Sequence, residues 1–272
     1  MNRKDRVTEN EQFYINGDFP FVELRRSTNS GRHFKPHMHQ RFSIGAINCG
    51  EVIYEVAGAK ARLGPGGLAL INPDTLHCCN PVGSTKRTYL VLYLDPAWCA
   101  NVQANVWQNR QFIPVDEISL GHDRLYRKFM TLAHDFPAGG ATMQDELSSF
   151  VRAIFLRACT PETRNPGPLP HIEAIKKELA HNLERSLPLE QLAHNYRSNP
   201  YTLLRQFKNA TGITPHAFRL NCRISKAKKL LRAGLEPATV ALQCGFFDQS
   251  HLHRHFKAMT TITPGEYQRN FA

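Results

Sequence analysis

The sequence predicts an α+β chain of two domains, an N-terminal β-barrel with two helices and a C-terminal all-α domain with two helix-turn-helix units. Three observations predict it. Residues 1 to about 115 carry short apolar runs broken by Gly, Pro and Asn, the pattern of short strands. From Ile118 the apolar spacing lengthens to that of a helix. Past residue 170 the chain repeats itself at an offset of 49 residues, and self-similarity at a fixed period marks duplicated supersecondary units.

In chain order, the strand candidates are Phe19–Arg26, Phe42–Asn48, Val52–Val56, Leu68–Ile71 and Thr88–Leu94. Gly64-Pro65-Gly66-Gly67 and Asn72-Pro73-Asp74 supply turns, since Gly tolerates positive φ and Pro fixes it. Short strands so spaced suit a small barrel or sandwich. Next, Leu125, Phe129, Leu132 and Ala133 fall at helical spacing, as do Leu147, Phe150, Val151, Ile154 and Phe155. These are two amphipathic helices separated by Pro137-Ala138-Gly139-Gly140. Their stripes suit packing on the barrel or a subunit interface, with the interface slightly favoured. Pro161, Pro166, Pro168 and Pro170, with Gly167 among them, make 161–170 a semi-rigid linker. The domain plan is therefore a barrel over 1–117, a helical dimerisation region over 118–160, the linker, and a double helix-turn-helix domain over 171–272.

Length and charge bound the function. The 272 residues suffice for two cores, and 42% apolar residues is a globular composition. The formal net charge is +11, which points toward polyanionic partners, nucleic acid being the commonest, with a solvated basic surface as the alternative. Fifteen Lys and Arg against seven Asp and Glu lie in residues 170–272, a net of +8. The excess is thus concentrated in the repeated part. Seven cysteines (Cys49, Cys78, Cys79, Cys99, Cys159, Cys222, Cys244) form no CxxC pair, as expected of reduced thiols in a cytosol. The opening MNRKDRVTENEQ has no apolar run behind its charges, and no stretch reaches the ~18 apolar residues of a membrane helix. A cytoplasmic protein with no membrane partner is expected.

The repeat carries the chemistry. Leu203-Leu204-Arg205-Gln206-Phe207-Lys208 matches Leu252-His253-Arg254-His255-Phe256-Lys257, and Thr211-Gly212-Ile213-Thr214-Pro215 matches Thr260-Thr261-Ile262-Thr263-Pro264, with Phe218 and Tyr267 in register. Asn199 and Asp248 are good N-caps, and Pro200 suits a first helical position. Leu203/Phe207 and Leu252/Phe256 bury one face of each helix. Tyr201, Leu204, Arg205 and Lys208 then point away, as do Gln249, Ser250, His253, Arg254 and Lys257. A short helix precedes each (Leu189–His194 and Ala238–Cys244), which completes a helix-turn-helix layout. Arg forks onto guanine or phosphate, Gln and His reach base edges, and Lys208 and Lys257 suit phosphates. The basic helix Phe218–Ala233 spaces the two units.

On these residues the segment from about Ile172 to Phe271 resembles the DNA-binding domain of the AraC/XylS family of bacterial transcription regulators. Gly245-Phe246-Phe247-Asp248-Gln249-Ser250-His251-Leu252-His253-Arg254-His255-Phe256-Lys257 resembles that family's signature. The resemblance implies base contacts at Tyr201, Leu204 and Arg205, and at Gln249, Ser250, His253 and Arg254. Arg197 departs from it, standing where the family usually has a turn glycine. His37-Met38-His39 and Gly67 to His77 resemble the two motifs of the cupin barrel found in sensor domains of the same family. That implies a cupin-like barrel holding a small-molecule effector, with His37, His39, Arg41, Tyr54 and His77 as candidate contacts and Arg25 for an anionic group.

In metal-binding cupins two such His share a strand face with a Glu and a later His. Here Ser43 and Ile44 stand where the Glu would be. His37, His39 and His77 are therefore minor metal candidates, and no cofactor is expected. Cys78 and Cys79 could be soft ligands, redox sensors or merely buried small residues. The resemblance implies promoter DNA and RNA polymerase as partners, a homodimer, and activation rather than pure repression. A metal-dependent enzyme fused to a DNA-binding tail, or an architectural DNA binder with no effector, are the other readings; a non-enzyme is favoured.

Overall fold

Side chains alternate across a strand, so the register of the N-terminal strands decides what each face of the sheet meets. A computed structural model, which describes residues 10–108, 110–160 and 170–271, gives β1 (Asn10–Tyr14), β2 (Val22–Ser30), β3 (Phe42–Cys49), β4 (Val52–Val56), β5 (Ala59–Leu63), β6 (Gly67–Ile71), β7 (His77–Pro81), β8 (Arg87–Leu94) and β9 (Ser119–Gly121). Six form one sheet in the order β1-β2-β8-β3-β6-β9, and three form another, β5-β4-β7. Three helices belong with them, α1 (Pro96–Trp107), α2 (Asp123–Asp135) and α3 (Met143–Ala158). The chain separates into two compact units. One takes the described residues of 1–33, 41–73 and 78–161, and the other those of 34–40, 74–77 and 162–272.

Within the β-rich unit, Leu24 pairs with Leu92 and Ile44 with both Leu92 and Leu70. This apolar face packs on the helices, in a core that includes Phe129, Leu132, Phe136, Leu147, Phe150 and Phe155. Burying each such side chain contributes about 1.5–3 kcal/mol. The two stripes expected to favour a subunit interface are thus fully used inside their own chain. They are core, because the six-stranded sheet offers the apolar face they need.

Three departures from the sequence reading have local causes. Pro96–Trp107 is helical although it lies in the stretch read as strands: Asp95 caps it, accepting from Ala97 N at 2.8 Å, and Pro96 opens it. So three helices, not two, accompany the sheets. Ser119–Gly121, read as the start of the helical region, instead pairs with Gly67–Ala69 at the sheet edge. His37 and His39 lie outside the named strands; His37 makes only an isolated bridge to His77. Of the proline-rich linker expected over 161–170, residues 161–169 lie outside those described, and Pro170 opens a helix.

The second unit contains α4 (Pro170–Ala180), α5 (Leu189–Asn195), α6 (Pro200–Thr211), α7 (Pro215–Arg232), α8 (Pro237–Gln243), α9 (Gln249–Thr260) and α10 (Pro264–Gln268). The repeat is physical down to single bonds. The Thr211 hydroxyl lies 2.8 Å from Phe207 O and 3.0 Å from Ile213 O, and the Thr260 hydroxyl lies 2.7 Å from Phe256 O and 3.0 Å from Ile262 O. Phe207 meets Phe218 at 5.7 Å, and Phe256 meets Tyr267 at 5.6 Å. The segments 34–40 and 74–77 share this unit: Met38 is buried in a cluster with Ile172, Phe207 and Phe218, and its N–H donates to Asn221 Oδ1 at 3.1 Å.

Equivalent turns use different residues. Arg197 has φ +48° and Gly245 φ +78°. A Cβ at Gly245 would lie 2.2 Å from the Leu183 carbonyl oxygen, whereas Arg197 is exposed. We therefore expect Arg197→Gly to stabilise the protein by ~0.5–1 kcal/mol, by relieving a left-handed non-glycine residue. Gly245→Ala should cost more than ~2 kcal/mol. Urea denaturation of the two variants checks this, and equal stabilities for both would contradict it.

Candidate nucleic-acid interface

The helices α6 and α9, expected from the sequence to read DNA, are each set by a cap. Asn199 Oδ1 accepts from Tyr201 N at 2.9 Å and Asp248 Oδ1 from His251 N at 2.6 Å, satisfying donors that a helix start leaves open. Leu203 and Phe207 turn inward on α6, and Leu252, Phe256 and Thr260 on α9. What remains outside is the set expected from sequence. Tyr201, Arg205 and Lys208 are exposed, Leu204 is half-buried, and Gln249, Ser250, His253, Arg254 and Lys257 are all exposed. Among the described residues, none of Arg205, Lys208, Arg254 and Lys257 is in an ion pair. Their charges are uncommitted.

Positive charge crowds the flank of α9. Burial first, then His251, Arg254, His216 and Lys35, hold the His255 imidazole below its usual range. His251 and His255 face each other one turn apart at 4.7 Å. Such a surface is a potential well for phosphates.

Not every cation of the basic helix serves that surface. Arg219 is buried, and its guanidinium donates to Leu179 O at 2.7 Å, His181 O at 3.1 Å, Asn182 O at 2.7 Å and Arg185 O at 2.8 Å. Arg223 Nε donates to Leu183 O at 3.0 Å, and Lys226 Nζ to Gln243 O at 2.7 Å. These three hold helix ends and loops. Sequence reasoning treated them only as charge, and no local signal marks them as carbonyl binders.

The effector candidates do not form one set. Arg41 and Tyr54 belong to the β-rich unit, His37, His39 and His77 to the other. The Arg41 guanidinium donates to Phe21 O at 3.0 Å, and the buried Tyr54 hydroxyl to Leu70 O at 2.5 Å. Burial raises the Tyr54 phenol above its usual range. Arg25, also buried, pairs with Glu11 at 2.9 Å, and the Ser27 hydroxyl donates to the other Glu11 oxygen at 2.7 Å. Arg25 lies 5.6 Å and Arg87 5.0 Å from the Tyr89 ring centre. Glu23, Arg25, Ser27, Ser43 and Tyr89 are all buried, and strand alternation puts them on the sheet face opposite the helix core. This polar face was missed except for Arg25. The alternation Glu23, Arg25, Ser27 against Leu24 was the signal that could have found it.

His77 meets His37 at 4.4 Å and His39 at 4.8 Å between ring centres. The Nδ1 atoms of His37 and His77 lie 2.8 Å from Lys35 O and Thr75 O. Among the described residues, no three of His, Cys, Asp and Glu are placed to hold a metal ion. Burial pushes the Cys79 thiol up to about 11 and raises Cys78 as well, so neither is a thiolate at neutral pH.

A model of an AraC-like ligand-binding domain matches residues 19–195, and a helix-turn-helix domain model matches residues 192–270. Over 276 residues the chain is 30% identical to the HTH-type transcriptional activator RhaR of Salmonella schwarzengrund, covering 95% of this chain and 97% of that one. It is 26% identical to the HTH-type regulator YbfI of Bacillus subtilis over 85% of this chain and 86% of that one. ToxT of Vibrio cholerae O395 has the same fold, with a TM-score of 0.66 at 14% identity over 92% of this chain and 97% of that chain. So does ToxT with an unsaturated fatty acid bound, at a TM-score of 0.64 and 15% identity over 96% of both chains. No helix among the described residues is long and apolar enough to cross a membrane.

Burial holds His77 well below the usual imidazole value of 6.5, at about 4. The folded chain then binds fewer protons than the unfolded one between those values. Stability is full above pH 6.5 and falls as pH drops toward 4, by up to ~3 kcal/mol. His77→Asn should flatten that part of the profile in denaturation measured from about pH 7 to about pH 4. Parallel profiles would show that His77 is not the titrating group.

Proposed function

The chain belongs to the AraC family of helix-turn-helix transcription regulators, and from that premise we propose that it reads promoter DNA through α6 and α9 under the control of a small molecule held by the β-rich unit. The observation that carries this reading is the pair of capped helices whose polar faces are exposed and whose cations form no ion pair among the described residues. Arg205 and Arg254 present a donor fork to guanine, and Gln249, Ser250 and His253 reach neighbouring base edges. Tyr201 and Leu204 offer apolar contact, and Lys208 and Lys257 hold phosphates. Two units in one rigid helical array suit major-groove segments about one helical turn, ~34 Å, apart.

The effector has its natural place on the polar face of the six-stranded sheet, where Arg25, Ser27, Ser43 and Tyr89 are buried, with Tyr54 of the three-stranded sheet bonding to Leu70 O of β6. ToxT with its fatty acid supports a small organic ligand in this fold. The name of RhaR supports activation, which brings RNA polymerase in as a partner. A homodimer in the cytoplasm completes the reading. Since α2 and α3 spend their apolar stripes internally, any dimer contact they make uses their outer faces, where Leu156 of α3 is exposed. The protein acts by binding, not by catalysis, and His37, His39 and His77 serve as a packed imidazole cluster.

A binding selection on genomic fragments with the full-length protein tests this. Sites with two recognition blocks about one turn apart are expected, and recovery of DNA without sequence preference would sink the reading. On such a site, Arg254→Ala should cost ~1–3 kcal/mol and relax preference at one base pair. Lys257→Ala should weaken all sequences alike and lower the salt slope by about one unit. An exchange of those two outcomes would reverse the assigned roles.

A further inference from the structure

The second helix-turn-helix turn is one residue longer than the first, and the added residue is Phe247. Ser198 N donates to Ala193 O and Phe246 N to Ala241 O, both at 2.9 Å; these pairs are 48 residues apart. The capping residues Asn199 and Asp248 are 49 apart. Phe246 fills the position equivalent to Ser198 and is 3% exposed, so the extra residue falls at 247. Phe247 is 86% exposed, more than any other large apolar residue among the described residues.

The exposed ring does not sit on a loose loop. The backbone N–H of Phe247 donates to His251 Nδ1 at 3.2 Å, and His251 N donates to the Asp248 cap. Phe246 packs edge-on against His251 at 5.5 Å. The turn is therefore pinned from both sides, with the Phe247 ring projecting at the N-terminal end of α9 beside Gln249 and Ser250. The first unit has a ring at the same end of its reader helix: Tyr201, the second residue of α6, is 82% exposed. The two rings reach equivalent ends by different sequence routes, one through a helical residue and one through an inserted turn residue.

We propose that Phe247 is a specificity-determining residue of the second unit, packing its ring on the C5-methyl group of a thymine at the edge of the α9 site. This rests on the reading of α9 as a DNA reader. Its neighbours Gln249, Ser250, His253 and Arg254 are polar, so they account for hydrogen-bonding edges and leave an apolar ring unexplained. The apolar group that a major groove offers is the thymine methyl. An apolar ring continuous with a polar reading face is placed to find it.

The test uses full-length protein and an operator from the binding selection, with each thymine in turn replaced by deoxyuridine, which lacks only the methyl. The wild type should lose about 4-fold in affinity at one thymine of the second half-site, the worth of one buried methyl. Phe247→Ala should bind the thymine and deoxyuridine operators equally, with an unchanged salt slope because no phosphate contact is lost. The residue is almost fully exposed, so truncating its ring leaves the fold intact. Wild-type affinity in Phe247→Ala overturns the proposal. So does a uniform loss that keeps the deoxyuridine penalty, which would put the ring on deoxyribose. Arg254→Ala separates the two levels of the argument. If it shifts base preference and Phe247→Ala does not, only the thymine contact fails; if neither does, the reading of α9 fails.

Discussion

A buried guanidinium held by backbone carbonyls organises the helical unit. Arg219 gives its protons to four carbonyls between Leu179 and Arg185, where α4 ends and the chain turns back through Asn182 at φ +44°. A helix end leaves carbonyls without partners, and here one side chain of α7 collects them. Burial lowers the pKa of Arg219, yet an arginine keeps its charge under such conditions. The carbonyl dipoles replace the water it has lost.

From that anchor the loop reaches the second reader. Arg223 holds Leu183 O, and the same oxygen sits so near Gly245 that no Cβ fits. The C-terminus of α4, the centre of α7 and the turn before α9 are thus one packed knot. Lys226 adds the C-terminal end of α8 through Gln243 O. This separates the basic residues into two populations. Those on α7 that face inward fix geometry, and those on α6 and α9 stay in water, with no ion pair among the described residues. Net charge alone could not make that division; the position of each cation relative to an open helix end does.

The legible part of the sequence was the part where local chemistry and tertiary role agree. Asn199, Pro200, Asp248 and the L-x-R-x-F-K pairs are helix-start and helix-face signals whatever surrounds them, and the reader faces follow from 3.6-residue spacing. Helix α1 was readable in part, since Asp95-Pro96 is a start signal. Its apolar residues fall on all sides, so no periodic stripe announced it. Strand β7, His77-Cys78-Cys79-Asn80-Pro81, has little strand propensity and is held in place by its partner β4. His37 and His39 look like a strand pair by spacing, but they sit in a segment whose Met38 is claimed by the core around Phe207 and Phe218. A non-local contact outweighs a two-residue period there.

The β-rich unit divides its labour across a single sheet. One face, with Leu24, Ile44, Leu68 and Leu92, is sealed by α1, α2 and α3 and supplies the stability. The other carries Glu23, Arg25, Ser27, Ser43 and Tyr89 at almost complete burial. Polar groups lose their hydration when buried, and stability alone would favour apolar residues of the same size. Such a face persists where recognition needs directional donors and acceptors. The Arg25–Glu11–Ser27 network and the Tyr89 ring between two guanidinium groups are already organised in that way. Because the helices seal the opposite face independently, this polar set can vary while the apolar face keeps the sheet folded.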